Sequence, residues 1–265
     1  MASGYSGFII DLDGCTYIGE RLTEGAKEAL DKLERLGVKV LFLTNNSGYT
    51  SEDYSMKLKR LGIDWSPEEI LTSGEAASKY ILARSGKSKI LAVTGRGFKE
   101  YCRRMGHEVL PLARWAEAKY LVVGHDREIS YEKLKAGLRA VLSGAEFIAT
   151  NTDKTFPAPD GLEPGAGAIV ASFKEMTGVD PIVIGKPSRI IMEMALERLG
   201  MKPEEVLVVG DRIETDIMAG KNIGSDTALV LTGVSKLDEV KGLDESLKPT
   251  YVADNLLKLV ELIYP

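Results

Sequence analysis

The sequence predicts an α/β fold in which parallel strands alternate with helices. Short apolar runs rich in β-branched residues recur along the chain, and longer amphipathic segments separate them. The runs are continuously apolar instead of alternating, which is typical of parallel strands covered on both faces. The chain has 265 residues, 44% of them hydrophobic, which is enough to bury a large core without disulfides or zinc. Strand–helix alternation over the whole length predicts right-handed crossover connections.

The elements follow from these patterns in chain order. Strands are expected at 8–11, 39–44, 89–94, 119–124, 146–150, 181–185, 205–210 and 227–232. Amphipathic segments predict helices that include 24–36, 51–61, 131–142, 188–199 and 254–263. Gly37, Gly62 and Gly200 stand where helices should end. Two glycine-bearing stretches, around 71–78 and from 157 to 181, are candidate hinges on either side of an inserted segment.

Composition excludes several classes of protein. The 34 basic and 39 acidic residues give a net charge of −5, spread evenly, which argues against nucleic acid as a partner. No apolar run approaches the ~20 residues of a membrane span, and the N-terminus lacks the basic region of a signal peptide. Cys15 and Cys102 lie far apart, and with only two histidines a zinc site or a disulfide framework is not expected. A cytoplasmic protein fits best.

The first candidate site follows the strand at 8–11. Asp11 and Asp13 are two residues apart, so both point to the same side of the chain as it leaves the sheet, and Gly14 permits a sharp turn. Two carboxylates so near to each other repel unless a cation lies between them or one stays protonated. Taken alone, the pattern equally fits an ordinary acidic loop at the end of a strand.

Polar residues also follow the strand at 39–44. Thr44, Asn45 and Asn46 offer a hydroxyl, amides and backbone N–H groups that could bind an anion. The same residues also fit a turn that leads to a helix N-cap at Thr50 or Ser51.

Two later strands end in charged residues. Lys186 directly follows the strand at 181–185 and provides a point charge for a phosphate, although most lysines are solvated surface residues. Asp211 ends the very apolar strand at 205–210, and Asp216 lies in the first turn of the next helix, where an aspartate is often only a cap. All four loops lie at the carboxyl ends of predicted parallel strands, where open α/β sheets bind ligands. Their combined side chains suit Mg²⁺ and a phosphoryl group.

The order DLDG, TNN, GKP and GDRIETD resembles the four motifs of the haloacid dehalogenase superfamily of phosphatases. The wordings TNNS and GDRIETDI, and the segments IATNTDKTFP and PGAGAIVA, are similar to its NagD-like, 4-nitrophenyl phosphatase branch. The resemblance covers essentially the whole chain. It implies a Rossmann-like core of residues 1–74 plus 179–265 and a large inserted α/β cap, of type II, at 75–178.

The resemblance also implies a mechanism. Asp11 would be the nucleophile that forms an aspartyl-phosphate, and Asp13 would protonate the leaving alcohol and then activate water. Asp11, the backbone carbonyl of Asp13 and Asp211 would hold Mg²⁺. The transferring phosphoryl oxygens would be bound by Thr44, Asn45, Asn46 and Lys186. Asp216 would orient Lys186 or a metal-bound water.

Residues of the cap are candidates for substrate specificity. His125 follows the strand at 119–124, and Asn151, Thr152 and Asp153 follow the strand at 146–150. His125 also fits an ordinary surface loop. Cys15, close to the site, is either a reactive thiol or a small packing residue. Relatives of this kind often pair through the cap, so a homodimer is expected.

The sequence leaves the substrate open among nucleoside monophosphates, sugar phosphates and phosphoglycolate, with 4-nitrophenyl phosphate as an artificial substrate. Alternatives are a phosphotransferase or phosphonate hydrolase on the same scaffold, a receiver-like signalling domain that holds one phospho-aspartate, and a sugar-phosphate binding protein. Receivers need only about half this length. Turnover would distinguish an enzyme from the last two classes.

Overall fold

The computed structural model describes residues 4–158 and 161–265, so the predicted core and cap each include a few residues outside the described ones. In chain order the strands are β1 (Gly7–Ile10), β2 (Tyr17–Ile18), β3 (Arg21–Leu22), β4 (Lys39–Thr44), β5 (Ile70–Thr72), β6 (Lys89–Val93), β7 (Glu108–Val109), β8 (Tyr120–Val123), β9 (Glu146–Ala149), β10 (Thr155–Ala158), β11 (Gly161–Pro164), β12 (Ile182–Val183), β13 (Val206–Gly210), β14 (Asp226–Val230) and β15 (Tyr251–Ala253).

Helices cover the faces of the sheets. They are α1 (Ala26–Arg35), α2 (Ser51–Arg60), α3 (Ser73–Ser85), α4 (Arg96–Arg104), α5 (Tyr131–Leu142), α6 (Ala166–Thr177), α7 (Arg189–Leu199), α8 (Met218–Ile223), α9 (Leu237–Lys241) and α10 (Leu256–Ile263). Helix α2 begins after Thr50, whose hydroxyl accepts from the Asp53 N–H while Asp53 Oδ2 accepts from the Thr50 N–H at 2.8 Å. This reciprocal capping box satisfies two N–H groups that a helix start leaves free.

Two parallel sheets organise the chain. The first has the order β15-β14-β13-β1-β4-β5 and the second the order β12-β9-β8-β6-β7, while β2–β3 and β10–β11 form separate antiparallel hairpins. The α/β fold with a parallel-sheet core is therefore confirmed, and each of the predicted strands has its counterpart. The strands that sequence patterns did not indicate are short: β2, β3, β5, β7 and β15 have two or three residues, and β10 and β11 have four. A run that short carries too little periodicity to be recognised.

The apolar core is continuous between the two sheets. Along β1 and β4, Phe8, Ile10 and Phe42 face one cluster with α1 and α10, whereas Ile9 and Leu41 face the other side. The cluster on that other side also contains residues of the second sheet and of α3 and α7. Period-two geometry divides the side chains of each strand between the two faces. Burying both faces explains why the strands are apolar at every position.

The boundaries of the inserted segment at 75 and 178 stay a prediction, and in the structure they lie within α3 and before β12. The boundary between 74 and 75 falls in the first turn of α3, and Ala76, Ala77 and Ile81 of this helix are buried in the cluster shared by both sheets. The boundary at 178 precedes β12, yet β12 pairs with β9 in the second sheet. Hydrogen bonding therefore extends the second sheet to Val183. Sequence patterns identified this strand but not the sheet to which it belongs.

No helix among the described residues is both long and apolar enough to cross a bilayer.

Candidate active site

Asp11 and Asp13 leave the first sheet at the carboxyl end of β1. The Asp11 N–H continues the ladder by donating to Val209 O at 2.9 Å, and the Thr16 hydroxyl donates to Asp11 O at 2.8 Å. Gly14, at φ +92°, turns the chain so that its N–H donates to Tyr17 O at 2.8 Å. A side chain at this position would be strained and would place a Cβ 2.5 Å from Asp211 Oδ2. The glycine therefore brings the two loops together.

Lys186 lies at the centre of the site. Its Nζ is 2.5 Å from Asp11 Oδ1 and 2.7 Å from Asp216 Oδ1, and it donates to Leu43 O at 2.9 Å. The side chain is only 3% exposed. Burial alone would lower the pKa of this ammonium, but the carboxylates of Asp11 and Asp216 hold it above its ordinary value. Lys186 is therefore a fixed cation rather than a surface lysine.

Three carboxylates cluster beside this lysine, and two of them, Asp11 and Asp216, contact it. Asp11, Asp211 and Asp216 each offer an oxygen atom, and these atoms lie within 4.8 Å of one another. Burial, followed by repulsion from Asp216, raises the pKa of Asp211 to about 6. Burial likewise raises the pKa of Asp11, although Lys186 opposes the shift. One ammonium cannot neutralise three buried carboxylates, so the cluster lacks positive charge.

The polar contacts of Asp211 leave one oxygen unpaired. Its Oδ2 accepts from the Val234 N–H at 2.7 Å, while Oδ1 is buried with no hydrogen-bond partner among the described residues. A buried carboxylate oxygen without a partner is costly unless it binds something. The all-oxygen donor set and the excess of negative charge fit a hard divalent cation such as Mg²⁺. Asp216, predicted to orient Lys186, both contacts that lysine and belongs to the carboxylate cluster.

In the loop after β4, the side-chain amide of Asn45 already has hydrogen-bond partners. Asn45 Nδ2 donates to Lys186 O and to Asp153 Oδ1, both at 3.0 Å, and Asn45 Oδ1 accepts from the Lys186 N–H at 2.8 Å. Both amide hydrogens are thus already used. Any contribution of Asn45 to phosphate binding falls to its backbone N–H, because the side chain holds the backbone of Lys186 in place. The hydroxyl of Thr44 accepts from the Asn46 N–H at 3.1 Å, and both residues line the cavity.

Three of the four predicted specificity residues line the cavity, namely His125, Asn151 and Asp153. Asn151 is 3% exposed, and its Nδ2 donates to Asn45 O at 2.6 Å, so it fastens the end of β9 to the loop after β4. Asp153 lines the cavity and accepts from Asn45, while Thr152 is exposed and is not part of the cavity wall. His125 does line the cavity, with its ring centroid 4.9 Å from that of Phe156 on β10.

These groups open into one cavity of about 630 Å³. Its wall combines the strand ends of the first sheet with α2 and with the β10–β11 hairpin of the inserted segment. Comparison with known proteins identifies the family to which the chain belongs. Models of a haloacid dehalogenase-like hydrolase and of a HAD-hydrolase-like family match residues 8–108 and 183–259 respectively.

Related proteins match over nearly the whole chain. An acid sugar phosphatase of Staphylococcus aureus is 41% identical over 93% of each chain. The chain belongs to the haloacid dehalogenase-like hydrolases. Solved structures agree: a p-nitrophenyl phosphatase from Archaeoglobus fulgidus has a TM-score of 0.91, with 38% identity over 98% of this chain and 99% of its own. A glycerol phosphate phosphatase from Mycobacterium tuberculosis, in complex with calcium, has a TM-score of 0.89, with 29% identity over 96% of this chain and 74% of its own.

The predicted resemblance to this family is therefore confirmed. The enzyme is a phosphatase that acts on phosphomonoesters. Sequence reasoning missed Tyr17 and Lys57, which also line the cavity, and left Arg212, another lining residue, open between a surface charge and a site residue. The Arg212 guanidinium donates to Thr155 O at 3.2 Å and so connects the loop after β13 to β10. Lys57 carries no local signal, because the last turn of α2 holds two lysines and an arginine.

The surroundings of Cys15 in this hydrolase are those of a packing residue. It is fully buried in the cluster with Phe8 and Leu12, and it is a free thiol, as is Cys102. Burial, with the nearby carboxylates adding to it, raises the pKa of the Cys15 thiol well above its ordinary value. A buried thiol that stays protonated is a poor nucleophile.

Proposed function

We propose that this chain is a Mg²⁺-dependent phosphatase that hydrolyses small phosphomonoesters through an aspartyl-phosphate on Asp11. The observation that carries the proposal is the position of Asp11, whose Oδ1 lies 2.5 Å from the buried Lys186 Nζ and whose carboxylate lines the same cavity as Asp13. A nucleophile, a second carboxyl for proton transfer and a fixed cation are the groups that phosphoryl transfer from an ester requires.

The two aspartates have different tasks in the proposed reaction. A carboxylate oxygen of Asp11 attacks phosphorus, and the bond between phosphorus and the leaving oxygen breaks as Asp13 gives that oxygen its proton. Asp13 then takes a proton from water, whose oxygen attacks phosphorus and displaces the Asp11 carboxylate, and phosphate leaves. Burial raises the pKa of Asp13, which favours the protonated form that the first step needs.

Lys186 and Thr44 would bind the phosphoryl oxygens during this transfer. The ammonium of Lys186 is fixed by Asp11, Asp216 and Leu43 O, so it needs no reorganisation when charge develops. Asp11, Asp211 and the backbone carbonyl of Asp13 would hold Mg²⁺, with Asp216 beside them. The ion would supply the positive charge that lets a carboxylate approach a phosphate.

The relatives support a small phosphomonoester as substrate. Proteins named acid sugar phosphatase, p-nitrophenyl phosphatase and glycerol phosphate phosphatase share the fold and most of the chain length. A cavity of about 630 Å³ has room for a phosphoryl group and a leaving group of this size. We therefore propose a sugar-phosphate or related phosphomonoester as the natural substrate, with 4-nitrophenyl phosphate as a convenient probe.

The intermediate can be tested directly. Asp13→Asn should slow hydrolysis of the aspartyl-phosphate, because no base would activate water. Acid quenching followed by borohydride reduction should then convert residue 11 to homoserine, detected by peptide mass spectrometry, and Asp11→Asn should show no such product. Asp11→Asn and chelation of Mg²⁺ should each lower turnover by at least about 10³-fold. Substantial turnover by Asp11→Asn in metal-free buffer would overturn the mechanism.

Phosphoryl transfer to an alcohol instead of water is the alternative on the same scaffold. It predicts that added glycerol lowers the yield of free phosphate relative to free leaving group. Pairing of two chains through the inserted segment stays a prediction, and analytical ultracentrifugation would test it.

A further inference from the structure

Helix α2 presents two basic side chains to the active-site cavity. Lys57 and Arg60 both line it, and residues three apart on a helix share a face. Lys57 Nζ lies 3.7 Å from the ring centroid of Tyr17, and the Tyr17 hydroxyl donates to Asp13 Oδ2 at 3.4 Å. A single tyrosine ring therefore separates the Lys57 ammonium from the carboxyl that serves the leaving oxygen. In the proposed mechanism Asp13 protonates the leaving oxygen, so this wall would lie on the leaving-group side of the cavity.

Three other cations around the cavity have close carboxylate partners, whereas Arg212 donates to Thr155 O at 3.2 Å. Arg96 Nη2 is 2.6 Å from Asp53 Oδ1, Arg127 pairs with Glu163, and Lys186 is held by Asp11 and Asp216. An anion on the leaving group could reach Arg96 or Arg127 only by competing with these carboxylates, and Lys186 is assigned to the phosphoryl group.

Lys57 differs from them in its charge environment. Its side chain is 19% exposed, and its nearest carboxylate oxygen in the described part of the chain, Glu20 Oε1, is 3.9 Å away on a side chain that is 71% exposed. A carboxylate so exposed to water neutralises little of a neighbouring charge. A half-buried ammonium has lost part of its hydration, so an anion that reaches it is bound more strongly than one in open solvent.

We propose that Lys57, with Arg60 at the mouth of the cavity, binds a negatively charged group on the leaving alcohol. The enzyme then prefers phosphomonoesters whose leaving group carries an anion to neutral esters of the same size. This inference rests on the proposed function, because it assigns the leaving-group side of the same site. Lys57 acts as a specificity-determining residue and takes no part in the transfer of the phosphoryl group.

Matched substrates isolate the charge. Phosphoglycolate and its carboxamide have the same shape, as do 4-carboxyphenyl phosphate and 4-carbamoylphenyl phosphate, and the two pairs place the anion at different distances from phosphorus. Phosphate release with Mg²⁺ gives kcat/KM for each ester. For at least one pair the wild-type enzyme should prefer the carboxylate by about 5- to 10-fold in kcat/KM. This ratio should decrease when the salt concentration is raised from about 0.05 M to about 0.5 M, because salt screens the charge of the ammonium.

Variants on α2 assign the preference to a side chain. Lys57→Met keeps an unbranched apolar stem over Tyr17 and good helix propensity, and it should bring the carboxylate-to-amide ratio close to about one. Lys57→Arg should retain most of the preference. Lys59→Met is the matched control, because Lys59 is 71% exposed and lies 3.4 Å from Asp64 Oδ1, away from the cavity wall. Its ratio should equal that of the wild type.

The outcomes separate this inference from the proposed function. A ratio near or below one for both pairs in the wild type, or an unchanged ratio in Lys57→Met, overturns the role of Lys57 while phosphatase activity stands. Hydrolysis of 4-nitrophenyl phosphate but of none of the four matched esters overturns it as well. Failure to hydrolyse any of the five esters with Mg²⁺ overturns the proposed function itself. Thermal melting of each variant, with Lys57→Gln as a second neutral replacement, guards against loss of the fold.

Discussion

Asn45→Asp is expected to damage both the stability and the activity of the enzyme, because the Asn45 carboxamide holds the peptide groups of Lys186. The substitution keeps an oxygen for the Lys186 N–H but removes both hydrogens of Nδ2. A carboxylate oxygen would then face Lys186 O and the carboxylate of Asp153, each 3.0 Å from the present nitrogen. Two attractive contacts thus become repulsive ones in a site where Asn45 is 7% exposed.

The magnitude follows from the hydrogen bonds that are lost. A buried polar group left without its partner costs about 1–3 kcal/mol, and one of the two bonds here involves a charged acceptor. We expect a loss of roughly 3–5 kcal/mol in the free energy of unfolding at pH 7, and a melting temperature lower by roughly 5–15 °C. Displacement of Lys186 should also lower kcat by on the order of 10²-fold, as for removal of one preorganised donor.

Denaturant unfolding and steady-state hydrolysis of 4-nitrophenyl phosphate measure the two effects. Asn222→Asp is the matched control, because Asn222 Nδ2 donates to Pro187 O at 2.8 Å from an exposed position. It makes the same chemical change beside the next residue of the loop, and it should cost about 1 kcal/mol or less with little change in kcat. Equal effects of the two substitutions would refute the view that Asn45 positions Lys186.

Further predictions concern the charges and the backbone of the site. Lys186→Met should abolish measurable turnover. It should also lower the free energy of unfolding by about 3–5 kcal/mol in metal-free buffer, because it leaves buried carboxylates without their cation. Urea titration with and without Mg²⁺ should show that the ion recovers part of this loss. Burial raises the pKa of Asp211 from 3.8 to about 6, so between these pH values the folded state holds a proton that the unfolded state has lost. Without metal, the free energy of unfolding should therefore fall by about 3 kcal/mol as the pH rises from about 4 to about 6. Asp211→Asn should lack this component, and identical pH dependence of the two proteins would contradict the assigned shift. Gly14→Ala should lower the free energy of unfolding by about 2–4 kcal/mol, because at φ +92° it adds a Cβ 2.5 Å from Asp211 Oδ2. Gly37→Ala, at φ +70° with open space around the new Cβ, should lower it by only about 1–2 kcal/mol. Thermal melting measures both.

Local patterns were sufficient for the fold class and for most of the candidate site. Continuous apolar runs identified the strands that make both sheets, because strands buried on two faces leave this trace in the sequence itself. Asp11 and Asp211 follow two strands of the first sheet and Thr44 ends a third, and parallel strands bring their carboxyl ends to one edge. Lys186 follows β12 of the second sheet. Asp11, Thr44 and Lys186 line one cavity, and Asp211 joins Asp11 in the carboxylate cluster, so their positions at strand ends were enough to group them.

Tertiary structure alone decided which partner each polar group has. Asn45 looked like a phosphate ligand by its position, yet its amide binds the backbone of Lys186 from 141 residues away. Lys57 could be distinguished from Lys59 only once α2 was seen to turn one face toward Tyr17. The membership of β12 in the second sheet likewise depends on β9. Periodicity records which face of an element is buried, but hydrogen-bond partners and sheet neighbours depend on residues distant in sequence, which no local pattern specifies.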